Sequence, residues 1–299
     1  MRVLVTGSTG FVGSGLCPFL RDNGYSVRTL SRTATVAPEA FIWKPEAGIL
    51  PVAALLGCDA VVHLAGEGIA DGRWTSAKKQ RILRSRLDST ELLARTMAGM
   101  SEGPKIWISA SGIGIYGSRG DEELSEDSSM GSGFLAEVCR QWESATRQAE
   151  VAGVRCVHLR LGVVLSKRGG ALARMLPAFR CGLGGVLGSG DQYMSWVSAE
   201  DLNRVIQFTL ERGSLRGAVN VVSPAPVTNQ EFTRTLAQAL RRPVILPVPA
   251  FVLRLLFGQM ADEALLASTR AIPTKLIAQG FNFKAPALKQ AFQSEMKSG

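Results

Sequence analysis

Three glycines spaced three apart, inside the first thirteen residues, constrain this chain more than any other feature. Thr6-Gly7-Ser8-Thr9-Gly10-Phe11-Val12-Gly13 follows a short apolar run, Arg2–Thr6, that reads as a strand. It opens a helix read over Phe11–Asn23, with Gly24 as its stop. A strand that turns at once into a helix needs a residue free to adopt an unusual backbone conformation, and Gly7 supplies it. Gly10 lets the main chain approach a diphosphate, and Gly13 lets the helix lie close on the strand. Thr9, Phe11 and Val12 complete a helix start whose bare N–H groups favour an anion. Glycine triplets alone are weak signals; between a strand and a helix this one points to a dinucleotide.

The alternation continues along the chain. Tyr25–Leu30, Asp59–Ala65, Lys105–Ala110 and Val154–Leu165 read as strands, and Phe134–Ala152 and about 76–99 as helices. Strands alternating with helices predict an α/β fold, a Rossmann-type doubly wound parallel sheet buried on both faces. After about residue 170 the order loosens, and a smaller, mostly helical C-terminal part is expected. The expected division is 1–222, with substrate-side insertions near 166–196, and 223–299. Long loops at 117–133 and 181–196 have the length of lids or binding loops.

The second strand ends at Leu30-Ser31-Arg32, with no Asp or Glu between Asp22 and Glu39. A site preferring NAD places an acid here for the ribose hydroxyl. Arg28, Ser31 and Arg32 instead offer guanidinium and hydroxyl groups suited to a 2′-phosphate, so NADP(H) is the expected cofactor. At the end of the third strand, His63-Leu64-Ala65-Gly66 brings small residues to where a nucleoside would lie. His63 itself reads as a strand histidine held by a hydrogen bond.

Composition narrows the alternatives. Five scattered cysteines and two histidines 95 positions apart exclude a zinc knuckle or a histidine-rich metal site, and no metal is expected. The net charge is +9, with 25 arginines and 9 lysines. That balance is open to three readings: nucleic acid, an anionic small ligand, or a basic soluble surface. The basic run 73–86 spreads its charges around a helix without interleaved aromatics, so a solvated face accounts for it better than RNA. No apolar run reaches the length of a membrane span, and no secretion signal is recognised at Met1, so no membrane partner and a cytoplasmic location are expected.

With these residues in hand, the chain resembles an extended short-chain dehydrogenase/reductase. More narrowly it is similar to the atypical, YfcH-like epimerase family proteins, which carry a small C-terminal domain. The matching stretches run almost end to end. They include the turn at 6–13, His63-Leu-Ala-Gly-Glu-Gly-Ile-Ala-Asp-Gly-Arg-Trp74, Ser85-Arg-Leu-Asp-Ser-Thr90, Ser109-Ala-Ser-Gly-Ile-Gly-Ile-Tyr-Gly117, Leu159–Leu165 and Trp196–Leu202. The resemblance implies that Gly7, Thr9, Gly10, Phe11, Val12 and Gly13 face the pyrophosphate. It puts Ser31 and Arg32 on the 2′-phosphate, Leu64, Ala65 and Gly66 along the nucleoside, and Arg86 as a further polar contact.

Working members of this superfamily use a Tyr with a Lys four residues later. Here positions 29, 120 and 197, four after each tyrosine, are Thr, Gly and Val. Where the pair would fall the chain reads Phe134-Leu-Ala-Glu-Val-Cys139. Losing such an acid removes about 10²–10⁴-fold of rate from proton transfer. Ser111 and Tyr116 are the remaining candidates to polarise a ligand oxygen. Two functions follow. One is an NADP(H)-binding oxidoreductase or epimerase-like enzyme acting on a small carbonyl, hydroxyl or nucleotide-sugar-like substrate. The other is a catalytically silent, NADP(H)-responsive binding protein. A homodimer stays open.

Overall fold

The apolar runs of the N-terminal two thirds become one sheet. In the computed structural model, which describes residues 1–33, 39–244 and 247–297, the chain opens β1 (Arg2–Thr6), α1 (Phe11–Asp22), β2 (Ser26–Ser31), β3 (Ala40–Ile42) and β4 (Ala60–His63). It continues α2 (Ser76–Ala98), β5 (Ile106–Gly112), β6 (Glu123–Leu124), α3 (Phe134–Ser144), α4 (Arg147–Val151) and β7 (Arg155–Leu161). Then come β8 (Val163–Leu165), α5 (Gly170–Arg180), β9 (Tyr193–Met194), β10 (Trp196–Ser198), α6 (Ala199–Glu211) and β11 (Gly217–Val221). The tail holds β12 (Val227–Thr228), α7 (Asn229–Leu240), α8 (Ala250–Phe257), β13 (Arg270–Ala271), α9 (Thr274–Ala278) and α10 (Leu288–Lys297).

Seven strands form a parallel sheet in the order β11-β7-β5-β4-β1-β2-β3. Leu16 and Leu20 of α1 pack with Leu202, Val205 and Ile206 of α6 on one face. Leu92, Leu93 and Met97 of α2 pack with Trp107 on the other. Each such side chain contributes about 1.5–3 kcal/mol by leaving water, which is why near-continuous apolar strands are required. The chain leaves β1 outward through β2 and β3, then crosses back to β4 beside β1. That reversal opens a crevice beyond the carboxyl ends of β1 and β4, where ligands of such sheets bind. The register sets Thr6, His63, Ser109 and His158 in one row. Gly7, Leu64 and Ser111 therefore lie just beyond it, at the crevice.

The structure departs from the sequence reading in two elements. Val154–Leu165 is not one strand: it divides at Gly162 into β7, in the large sheet, and β8, paired with β10. A Cβ at 162 would stand 2.6 Å from the Ser195 carbonyl oxygen and 2.7 Å from Val222, so only glycine lets the chain change sheets there. Phe134–Ala152 is likewise two helices, parted at Ala145 and Thr146. Segment 163–198 packs with the tail, for Leu165, Leu172 and Trp196 share a core cluster with Phe232, Leu236 and Phe292. Among the described residues no helix is long and apolar enough to cross a membrane.

Candidate functional site

The glycine turn has the geometry its spacing predicts. Gly7 sits at φ +68°, and a Cβ there would lie 2.8 Å from the Leu64 carbonyl group and 2.9 Å from the Ala65 nitrogen. A Cβ at Gly13 would lie 2.7 Å from the Ser8 Cα and closer still to the Gly7 carbonyl oxygen. The Gly10 N–H donates to the Gly7 carbonyl at 3.0 Å, and no side chain caps α1. The first-turn N–H groups of α1 therefore have no intrahelical partner and no side-chain cap. Thr9 and Gly10 are exposed beside them. The Phe11 ring turns the other way and lies where a Cβ of Gly169 or Gly170 would be, against the start of α5. Farther along α5, Arg174 pairs with Asp71 and donates to the Ala70 carbonyl at 2.7 Å, tying α5 to the loop after β4.

The end of β4 is braced from beneath. Thr6 Oγ1 accepts from the N–H groups of Leu64 and Ala65, both at 3.2 Å. Its own proton therefore goes to His63 Nδ1 at 2.7 Å, which leaves Nε2 as the donor toward Thr90 Oγ1 at 3.0 Å. Trp142 Nε1 also donates to Thr90, at 3.0 Å. Burial, helped by the charge of Arg86, lowers the His63 pKa to about 3. His63 is thus a neutral strut, as the sequence reading holds.

At the end of β2, Ser31 is half-buried and Arg32 is exposed with no ion pair among the described residues. Arg28, offered by the sequence for the same phosphate, is committed elsewhere. It is buried and donates to the carbonyls of Ala53, Ala54 and Leu56 at 2.9–3.1 Å.

Beyond β4, Glu67 is flanked by Lys78 at 2.7 Å and Arg81 at 3.1 Å, and hydrogen bonding from Lys78 foremost holds its carboxyl below the ordinary range. Arg86 reaches under the same loop. Its Nη1 donates to the carbonyls of Glu67 at 3.0 Å and Ile82 at 2.8 Å. The guanidinium lies 4.8 Å from the Trp142 ring centre, and a Cβ at Gly66 would meet it at 3.2 Å.

Ser111 and Tyr116 belong to a buried polar cluster. Ser111 donates to Glu143 Oε1 at 2.7 Å. Arg160 holds that carboxylate with two bonds, Nε to Oε1 at 2.9 Å and Nη2 to Oε2 at 3.0 Å. Arg160 Nη1 also donates to the Tyr116 hydroxyl at 2.9 Å, which donates in turn to Asn220 Oδ1 at 2.7 Å. Tyr116 is 0% exposed, and desolvation raises its pKa. This geometry goes against the expectation that Tyr116 polarises a ligand oxygen, because the hydroxyl is sealed and engaged in both directions. Sequence reasoning missed Glu143, Arg160 and Asn220. Their signal was present: Arg160 and Asn220 interrupt the apolar strands Val157–Leu165 and Ala218–Val222, and a polar residue in a buried strand needs a partner.

The acidic loop after Tyr116 also ends inside the molecule. Buried Glu126 accepts from the backbone N–H of Asn220 at 3.0 Å and of Lys275 at 3.2 Å, and β6 pairs with β13. The tail is thereby joined to the cluster that holds Ser111. Among the described residues no group of acids, cysteines and histidines could hold a metal ion.

A parallel sheet with an uncapped, glycine-lined helix start at its point of reversal defines a dinucleotide-binding α/β protein. The chain belongs to the NAD dependent epimerase/dehydratase family, whose sequence pattern matches residues 3–222, and residues 248–295 match a domain of unknown function, DUF1731. Epimerase family protein Mb2239 of Mycobacterium bovis is 45% identical over 289 residues, covering 97% of this chain and 95% of the relative. Human epimerase family protein SDR39U1 is 36% identical over 296 residues, covering 98% and 99%. The crystal structure of human SDR39U1 isoform 2 with NADPH superposes with a TM-score of 0.92 at 36% identity over the full length of both chains. The nucleoside-diphosphate sugar epimerase of Corynebacterium glutamicum has a TM-score of 0.82 at 34% identity, covering 99% of this chain and 58% of that one.

Proposed function

We propose that this protein binds NADP(H) in the crevice beyond β1 and β4 and acts as an oxidoreductase or epimerase-like enzyme on a small carbonyl, hydroxyl or nucleotide-sugar-like compound. The observation that carries this reading is the uncapped start of α1 behind Gly7, Gly10 and Gly13. A cradle that a single Cβ would fill, floored by bare N–H groups, fits a diphosphate. In this reading the amides of Phe11, Val12 and Gly13 hold the diphosphate beside Thr9. Leu64, Ala65 and Gly66 line the nucleoside, and Ser31 and Arg32 take the 2′-phosphate. NADPH in human SDR39U1 supports the phosphorylated form. When bound, the nicotinamide supplies hydride transfer, so the chain need only bind, orient and manage a proton.

That proton is the weak point of the site. Ser111 gives its own proton to Glu143, and Tyr116 is sealed. The sealed phenol favours a second reading, a catalytically silent protein whose loops respond to NADP(H). A screen of carbonyl and alcohol compounds with both cofactor forms separates the two. Saturable turnover that falls in Ser111→Ala supports the enzyme, and NADPH binding without turnover supports the silent protein.

Titrating NADPH and NADH by nicotinamide fluorescence tests the common premise. A guanidinium hydrogen-bonded to a phosphate is worth about 1.5–3 kcal/mol, so Arg32→Ala should weaken NADPH roughly 10- to 100-fold and leave NADH unchanged. An unaltered preference would remove the assignment of Arg32. A cytoplasmic location and homodimeric assembly complete the proposal, the second checked by light scattering.

A further inference from the structure

Among the described residues Arg86 is a half-buried cation without a counter-ion. No carboxylate among them comes within ion-pair distance of it; Glu67, the carboxylate whose charge it feels, is already held by Lys78 and Arg81, and Asp88, two residues on, pairs with Arg84. Its protein partners are two backbone carbonyls, both on Nη1, and the face of Trp142. A cation over an aromatic face gains about 0.5–2 kcal/mol. Even a partly desolvated charge keeps an uncompensated cost when no counter-ion meets it, and those contacts offset it only in part. Consistent with that, burial depresses the Arg86 pKa.

A comparison within the same molecule sharpens the point. Arg155 is more deeply buried and among the described residues has no carboxylate either, but it donates to the carbonyls of Thr209 and Leu215, at and just beyond the C-terminal turn of α6. The helix dipole there supplies negative potential. Arg86 springs from the middle of α2 and has no such compensation. Among the described residues its Nε and Nη2 have no hydrogen-bond partner, and neither is a fully enclosed atom, so both remain open to a ligand.

The position of the charge says which ligand. The guanidinium lies against Gly66 and over Trp142, and its charge acts on the thiol of Cys139. The Cys139 sulfur lies 3.6 Å from where a Cβ of Gly112 would be, next to Ser111 on β5, the strand beyond β4 from the glycine turn. The diphosphate of a dinucleotide already has the amides of α1. We propose that Arg86 receives an anionic group of the substrate, a carboxylate or phosphoryl oxygen, so that the cleft selects acidic substrates. This rests on the dinucleotide reading above and adds the chemical class of the second ligand.

The test keeps the two apart. With NADP⁺ saturating, so that the 2′-phosphate and diphosphate sites are filled, and ionic strength fixed, inorganic phosphate and separately malonate are titrated. The readouts are melting temperature and tryptophan fluorescence. Wild type should show a saturable response to at least one anion. Arg86→Gln should weaken it at least tenfold, about 1.4 kcal/mol, while Arg86→Lys keeps part of it. NADPH affinity should stay within about threefold in both variants. The ligand-free melting temperature of Arg86→Gln should equal or exceed that of wild type, whereas a purely structural arginine would give a loss. The proposal is overturned by an anion response that survives in Arg86→Gln, or by none in wild type. It is also overturned if Arg86→Gln weakens NADPH tenfold, which would hand the guanidinium to the cofactor. Failure of wild type to bind NADPH at all would instead sink the dinucleotide reading.

Discussion

Two glycines of α1, two positions apart, should respond to the same substitution in opposite ways. At Gly15 an added Cβ meets only Asn203 Nδ2, at 3.8 Å, an ordinary contact. Gly15→Ala should therefore gain the usual helix-propensity difference of about 0.8–1.0 kcal/mol. At Gly13 the same methyl would stand 2.7 Å from the Ser8 Cα and 2.9 Å from the Gly7 carbonyl carbon, where 3.4 Å begins ordinary contact. Every neighbour there is backbone, so α1 must move off the turn by roughly 0.5–1 Å. Overpacking of that kind costs about 1–3 kcal/mol. Subtracting the same propensity gain leaves Gly13→Ala between neutral and about 2 kcal/mol destabilised. The two variants should then differ by about 1–3 kcal/mol, or several degrees in melting temperature at this size. The displaced turn should also weaken NADPH at least tenfold, with no change in Gly15→Ala. Thermal melts and NADPH fluorescence titrations on the two proteins give both numbers. If Gly13→Ala melts with Gly15→Ala and binds NADPH within twofold of wild type, the close-approach argument is wrong.

Other consequences are as direct. At Gly10 a Cβ would touch only the Gly7 carbonyl oxygen, at 3.2 Å. Gly10→Ala should cost about 2 °C or less in melting temperature yet weaken NADPH about tenfold, and equal losses in both would refute the separation. Tyr116→Phe leaves Asn220 Oδ1 without its donor and Arg160 Nη1 with only the Glu126 carbonyl, at 3.3 Å. Urea unfolding should show a loss of about 1–3 kcal/mol with NADPH affinity intact, so an unchanged midpoint would count against the buried cluster. His63 stays neutral in the folded chain down to about pH 3, while in the unfolded chain it takes a proton near its ordinary 6.5. Acid therefore favours the unfolded chain. Stability should be flat from pH 6.5 to about 8, before the buried thiols enter, and fall by about 1.4 kcal/mol per pH unit below 6.5. Glu67 and Glu150 enter only below their ordinary 4.5. A urea midpoint in wild type that does not drop between pH 6.5 and 5, or a drop that persists in His63→Gln, contradicts this account.

What the chain disclosed by sequence and what it withheld follow one physical division. The glycine turn was legible because its constraints are local: Gly7, Gly10 and Gly13 restrain one another and a strand end. The parallel sheet was legible because burial on both faces leaves continuous apolar runs. The break at Gly162 was not, since the atom that forbids a side chain there belongs to Ser195, 33 residues on. The parting of α3 from α4 carries neither proline nor glycine at Ala145 and Thr146. Tyr116 looked available because it follows Ser111 on the segment that leaves β5. Its engagement depends on Arg160 and Asn220, 44 and 104 residues away. Arg86 could be seen as a polar residue on a helix, but that its charge stands alone is a three-dimensional fact.

Phe11 gives the two walls of the crevice a common hinge pin. Its amide belongs to the floor and its ring to the berth that Gly169 and Gly170 leave vacant, so neither wall can be redesigned by itself. Grafting this turn onto a scaffold lacking that glycine pair would strand an aromatic ring in water. Filling the berth with alanine would lever the amide away from the position it is built to hold.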